Sequence, residues 1–219
     1  SGTNGSSLNS RYTSDTYATG IGSDNSDWED YPLLGMLVYN QGQDVEIDIK
    51  HRQPIRFGLT FTYKINNRIA VKSGITYTKL ISDMREGSHD NYFADHQTLH
   101  YVGIPLNIEY DMFSSSGLDF YFSSGVITEK CVSGELDRTY VLNNQIKQTE
   151  TGEITVKPLQ WSVNASLGMQ YDFNSSIGIY AEPGISYYFN NGSSVKTIYN
   201  DKSLNFNLNL GIKYTFGKK

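Results

Sequence analysis

Eight side chains could carry chemistry if the fold brought them together: Arg56, Lys64, Lys72, Glu109, Asp119, Glu129, Glu182 and Lys213. Each sits where large apolar residues alternate with small polar ones, and each falls on the polar side of that alternation. Glu129 and Glu182 could form a general acid/base pair. Such a pair needs a nucleophile or an oxyanion donor beside it, and neither stretch supplies one. A lone charge in a narrow interior is costly, so opposite signs are expected to pair. The sequence therefore predicts one fixed lumen network of Arg56, Lys72, Glu109, Glu129, Glu182 and Lys213. In it, Glu182 meets at least one of these cations and the hydroxyl of Tyr121 or Tyr180. A proton or ion path is the alternative use of the same residues.

The remaining reactive residue types form no constellation. His51, His89, His96 and His100 lie in or beside polar connections, and "HDNYFADH" at 89–96 sets Asp90 and Asp95 next to two of them. The spacing matches no metal-ligand motif, so solvated loop residues are expected, with no metal and no cofactor. Cys131 is the only cysteine, which excludes a disulfide within the chain and a thiolate cluster. It reads as a small wall or loop residue. No catalytic residue is assigned, and an enzyme is not expected.

The elements that must position the network are strands. In "SLNFNLNLGIKYTF", 203–216, Leu204, Phe206, Leu208, Leu210, Ile212, Tyr214 and Phe216 alternate with Asn, Gly, Lys and Thr, which is the period-2 pattern of a strand. The same pattern runs through 55–65, 69–78, 102–111, 118–128, 159–173 and 177–189. The stretch 44–50 reads as a further strand outside the membrane. Short turns are predicted at 66–67, 114–117 and 174–176. Irregular or looped connections are predicted at 82–97, 132–157 and 190–202. Pro105 and Pro183 lack a ladder donor and predict bulges or kinks.

Which face is dry follows from composition. The 219 residues hold 17 Tyr, 10 Phe and 20 Gly, an all-β composition, with a mean hydropathy of −0.45. No run approaches the roughly 18 apolar residues of a spanning helix. The net charge of −5 and the absence of a basic cluster exclude nucleic acid as a partner. A soluble barrel would carry Lys, Glu, Arg and Asp on its polar stripes. These stripes are mostly Asn, Ser, Thr, Gly and Gln. A small barrel interior could not hold Trp161, the many Phe and all the Leu and Ile together. The small polar face therefore points inward, and the apolar face meets lipid. Trp161 and Leu208 are assigned to that outer face, and Tyr63, Tyr110, Tyr171, Phe173, Tyr214 and Phe216 to an aromatic girdle at the tight-turn ends.

The fold expected is a small antiparallel transmembrane β-barrel with short periplasmic turns and long outer loops. Single-chain bacterial barrels have an even strand number, so eight strands are expected where seven are clear. Either 33–51 or an upstream segment supplies the eighth. Residues 1–44 read as a polar loop or partly disordered segment, and 45–219 as the barrel. The opening "SGTNGSS", without Met, charged n-region or apolar h-region, reads as a processed chain or an excised domain.

Several motifs also carry a resemblance: "HRQPIRFG" at 51, "SGITYTKL" at 73, "LHYVGIPLNIEY" at 99, "EKCVSG" at 129, "LQWSVNASLGMQY" at 159, "YAEPGISYYF" at 180 and "LNFNLNLGIKYTFG" at 204. From about residue 45 onward the chain resembles the outer-membrane β-barrel domain of Bacteroides-type bacteria. In similar proteins the barrel is the C-terminal part of a dual-membrane-spanning anti-sigma-like protein. The resemblance implies a non-enzymatic membrane anchor or surface-sensing module in the bacterial outer membrane, linked to envelope signalling. Its partners would be the lipid bilayer and another envelope protein or an upstream segment. A small porin or transport channel is the alternative, and a membrane-embedded enzyme the third.

Overall fold

The computed structural model describes Gly35, Val38 and residues 40–174 and 176–217. The segment assigned to 1–44 falls almost wholly outside them. From residue 40 onward the described chain is all-β, with nine strands and one helical turn: β1 Glu46–His51, β2 Ile55–Lys64, β3 Ile69–Gly87, β4 Tyr92–Ser115, β5 Leu118–Leu142, β6 Gln145–Glu153, β7 Gln160–Asp172, β8 Ile177–Tyr188, α1 Ile198–Asp201 and β9 Leu204–Gly217. They form two units. Among the described residues from 40 onward, one comprises 40–50, 82–97 and 135–153, and the other 51–81, 98–134 and 154–217. Strands β3, β4 and β5 supply residues to both.

The larger unit holds a ring of seven strands. The order is β3, β2, β9, β8, β7, β5, β4, and β4 pairs with β3 again. Sequential strands pair antiparallel, with registers such as Phe57↔Tyr77, Tyr121↔Gly168 and Glu182↔Asn209. The exception corrects the all-antiparallel expectation: β2 and β9 run parallel, from Ile55↔Leu208 to Lys64↔Gly217. The reason is parity. Seven strands of alternating direction leave the first and the last pointing the same way, so a ring closed by those two has one parallel seam. The stretch 44–50 is a strand in the structure, yet β1 pairs with β3 and does not enter the seam. The β7–β8 ladder breaks between Ser166↔Gly184 and Met169↔Ala181, beside Pro183, which has no N–H to offer.

The smaller unit corrects two further expectations. Residues 82–87 and 92–97, expected to be irregular, lie in strands, and the long loop expected at 132–157 contains the end of β5 and all of β6. These two pair from Glu135↔Glu153 to Leu142↔Gln145, with a bulge at Tyr140/Val141. No alternation marks β6 because its residues are exposed on both faces. The backbone ladder alone makes it a strand. The hairpin turns through Asn143 and Asn144 at φ 51° and 59°, the left-handed region that Asn tolerates best among non-glycine residues. Asn143 N–H donates to Asn91 Oδ1 at 2.8 Å, and Asn144 Nδ2 to Asp90 Oδ1 at 2.6 Å. Arg138 forks onto both oxygens of Asp95 and lies over the Phe93 ring at 5.2 Å.

Candidate functional site: the polar face of the ring

Alternation in the ring strands separates two kinds of surface. On β9, Asn205, Asn207, Asn209 and Lys213 are buried, while Leu204, Phe206, Ile212, Tyr214 and Phe216 are exposed and Leu208 is half-buried. Across the ring, Tyr63, Tyr110, Trp161, Tyr171 and Phe173 are exposed as well. At the tight-turn ends Tyr63 packs on Phe216 at 5.5 Å, Tyr171 on Phe173 at 5.6 Å and Phe61 on Tyr214 at 6.4 Å. Arg68 in the turn donates to the Tyr110 hydroxyl at 3.3 Å.

The six charges of the expected lumen network all lie on the buried face, and none is more than 2% exposed. The structure brings them into one connected system. Lys72 from β3 meets Glu182 of β8 and lies 3.0 Å from Glu109 of β4. Lys213 from β9 holds both oxygens of Glu109, at 2.9 and 3.0 Å. Tyr121 donates its hydroxyl to Glu182 at 2.7 Å, and Lys213 Nζ sits 3.8 Å from the centroid of the same ring. Arg56 pairs with Glu129 at 3.1 Å, and Thr78 Oγ1 donates to Glu129 at 2.8 Å. Asn209 joins the two halves: it accepts from Arg56 Nη1 at 3.1 Å and donates to Glu182 Oε2 at 3.5 Å. Arg56, Lys72 and Lys213 balance Glu109, Glu129 and Glu182, so the buried set is formally neutral.

Small residues leave room for this convergence. Tyr121 lies opposite Gly168, and a Cβ at Gly168 would stand 2.2 Å from the ring. Lys64 pairs with Asp111 at 3.1 Å where the face is part-exposed. Asp119, the eighth candidate, accepts from Ser114 instead of joining the network.

Beyond Arg56 the buried face turns apolar, which the sequence reading missed. Leu80, Leu99, Tyr101, Cys131, Val156, Tyr188, Ile198 and Tyr199 form one cluster. Tyr199 stacks on Tyr188 at 3.8 Å and meets Tyr101 edge-on at 5.8 Å. Arg56 Nη2 donates to the Tyr188 hydroxyl at 3.4 Å, which ties the charges to the cluster. The turn α1 inserts Ile198 and Tyr199. The available signal was the apolar set Val195, Ile198 and Tyr199 within the otherwise polar 190–202.

The histidines are dispersed. His96 Nδ1 meets Asp83 at 2.5 Å, His100 Nδ1 meets the Tyr77 hydroxyl at 2.5 Å, and the His89 carbonyl accepts from Arg85. His51 Nε2 lies 3.6 Å from Asp201. Burial pushes its imidazole below the ordinary value, against the opposing pull of Asp201. Among the described residues no group of three or more His, Cys, Asp or Glu could hold a metal. Cys131 donates to the Ser133 carbonyl at 3.4 Å inside the apolar cluster. The arrangement can hold charge in place and fill space. No protein-family model, curated protein or solved structure matches the chain.

Proposed function

We propose that the chain is the membrane-spanning part of a bacterial outer-membrane protein, a β-barrel that anchors or senses and performs no catalysis. The observation that carries this reading is the direction of burial. A water-soluble protein rarely leaves a contiguous apolar patch larger than a few hundred Å². Here Leu59, Phe61, Ile104, Ile108, Leu167 and Phe206, on four strands, are each 57% exposed or more, while Arg56, Lys72, Glu109 and Lys213 are buried. That inversion costs heavily in water and is favourable in lipid. The strand connections at 65–68 and 116–117 then face the periplasm.

A closed interior favours anchoring over transport. The paired charges and the Tyr101–Tyr188–Tyr199 cluster occupy the space that a channel would need, consistent with the narrow interior of small barrels. The sensing role and the link to envelope signalling extend this reading from the family resemblance. The parallel seam favours an eighth strand, from an upstream segment or another envelope protein, lying between β2 and β9. Such a strand would run antiparallel to both neighbours and restore an even count.

Reconstitution into planar bilayers tests the reading. The protein should insert, shield its ring strands from protease and give no stable ion current. Steady single-channel conductance would favour the porin. Failure to associate with vesicles would remove the membrane assignment.

A further inference from the structure

The outer face of the ring carries a local excess of positive charge. Among the exposed positions of the seven ring strands in the larger unit, only Lys79 and Lys130 bear a charge. They stand on β3 and β5, the two neighbours of β4. Between them β4 carries His100, whose ring stacks on Tyr77 at 5.8 Å. Tyr77 and Lys79 lie two residues apart on one face of β3. The Cys131 thiol meets the His100 backbone, which sets Lys130, the preceding residue of β5, at the same level. Lys130 Nζ donates to the Lys157 carbonyl at 2.7 Å, bringing an exposed third lysine alongside. Two strand spacings separate β3 from β5, so the cations spread over about 10 Å.

Neither Lys79 nor Lys130 is ion-paired among the described residues, and the exposed positions of β3, β4 and β5 in the larger unit carry no carboxylate. The exposed positions of β2, β9, β8 and β7 carry no charge at all. On the ring strands the exposed cations occupy one sector, at the edge opposite the tight turns 66–67 and 116–117, with aromatic and apolar side chains directly beneath; Arg52 and Lys202 are exposed in the connections that lead into β2 and β9.

We propose that Lys79, Lys130 and Lys157, with His100 and Tyr77 between them, bind the phosphate groups of an anionic membrane lipid in the leaflet opposite the tight turns. Lysine ammonium groups supply charge and donors to the phosphate oxygens, and the exposed apolar strand faces below receive the acyl chains. The inference rests on the membrane-spanning reading and adds a lipid class and a place on the ring.

The test uses the purified chain in vesicles of phosphatidylcholine with or without phosphatidic acid, followed by native mass spectrometry of the lipid retained after detergent extraction. The wild type should keep phosphatidic acid in preference to phosphatidylcholine. Lys79→Gln/Lys130→Gln, both exposed and free of structural ion pairs, should lower that preference by about tenfold or more, because each lysine near an anionic surface contributes about fivefold. Lys50→Gln, in the smaller unit, should leave it unchanged. Equal retention by wild type and the double variant would overturn the site. So would loss of the bound lipid to millimolar inorganic phosphate, which would mark a site for a free anion. Wild-type protein that fails to enter phosphatidylcholine vesicles would overturn the membrane reading itself and the lipid site with it.

Discussion

Lys213 on β9 and Glu109 on β4 meet across the ring, Nζ lying 2.9 and 3.0 Å from the two carboxylate oxygens, although their strands are not neighbours. Two side chains thus bridge the whole interior at that level. Lys72 adds a second ammonium to the same carboxylate at 3.0 Å, so Glu109 holds two cations where Glu182 holds one. The interior is a set of interlocked charges whose partners come from β2, β3, β4, β5, β8 and β9.

Removing one partner of a buried pair costs about 3 to 5 kcal/mol, because the other charge is stranded. Glu182→Leu should therefore lower the unfolding midpoint in detergent strongly, and Glu109→Leu more strongly still, since it leaves Lys213 with no carboxylate while Lys72 keeps one partner in either variant. Glu150→Leu, on exposed β6 with bonds only from the Tyr140 hydroxyl at 3.2 Å and from the neighbouring Gln148 Nε2 at 2.8 Å, should change it by about 1 kcal/mol or less. Denaturant titration of the three variants checks the order. Equal effects at Glu109 and Glu150 would contradict a shared buried network.

Leu208 is half-buried on the apolar face, paired with Ile55 and Pro183. Leu208→Arg should cost about 2 to 4 kcal/mol in a bilayer. Asn207→Ser, on the buried face where Asn207 Nδ2 bonds Ser186 Oγ at 2.5 Å, should cost about 1 kcal/mol. Reversible unfolding from lipid vesicles measures both. A milder effect at Leu208 than at Asn207 would reverse the assignment of faces.

An eighth strand would separate β2 from β9. Leu59 and Ile212 are partners across the seam, and Ile212 is also the partner of Ile179 on β8. In a Cys131→Ser background, Ile179→Cys/Ile212→Cys should form a disulfide on oxidation in native membranes. Leu59→Cys/Ile212→Cys should not, because an intervening strand sets their Cα atoms about 10 Å apart, beyond the roughly 7 Å limit of a disulfide. Efficient bridging of the second pair in the full-length protein would show a seven-stranded ring.

His51, at the end of β1 and outside the ring strands, gives a pH signature. Its imidazole titrates below the ordinary 6.5 chiefly because it is buried, with Lys202 adding to the lowering and Asp201 opposing it. The unfolded chain titrates near 6.5 and takes up the proton first as pH falls. The contribution of His51 to stability is thus full above pH 6.5 and is lost as pH drops from there through the lowered folded value. Unfolding midpoints between pH 7.5 and 5 should fall in acid, and His51→Gln should flatten that slope. An unchanged slope would assign the acid sensitivity to other groups.

Alternation at period 2 is a local property, so β2, β7, β8 and β9 and the face each residue occupies were legible in the sequence, as was the membership of Arg56, Lys72, Glu109, Glu129, Glu182 and Lys213 in one polar set. β6 is exposed on both faces, and in 82–87 and 92–97 the buried positions are themselves polar, Ser82, Asp95 and Gln97, so no hydrophobic period marks these stretches and they read as irregular. Partner choice is non-local by nature. That Lys213 takes Glu109 while Arg56 takes Glu129 depends on strand order and register, which a one-residue slip would invert. Tyr199 carried no signal of its own, since a tyrosine in a polar connection becomes a core residue only when α1 folds it onto Tyr188 and Tyr101. Parity predicts a missing strand from the count alone, whereas the closure of β2 directly on β9 belongs to the tertiary structure, where two edges with unsatisfied backbone groups pair with whatever strand is within reach.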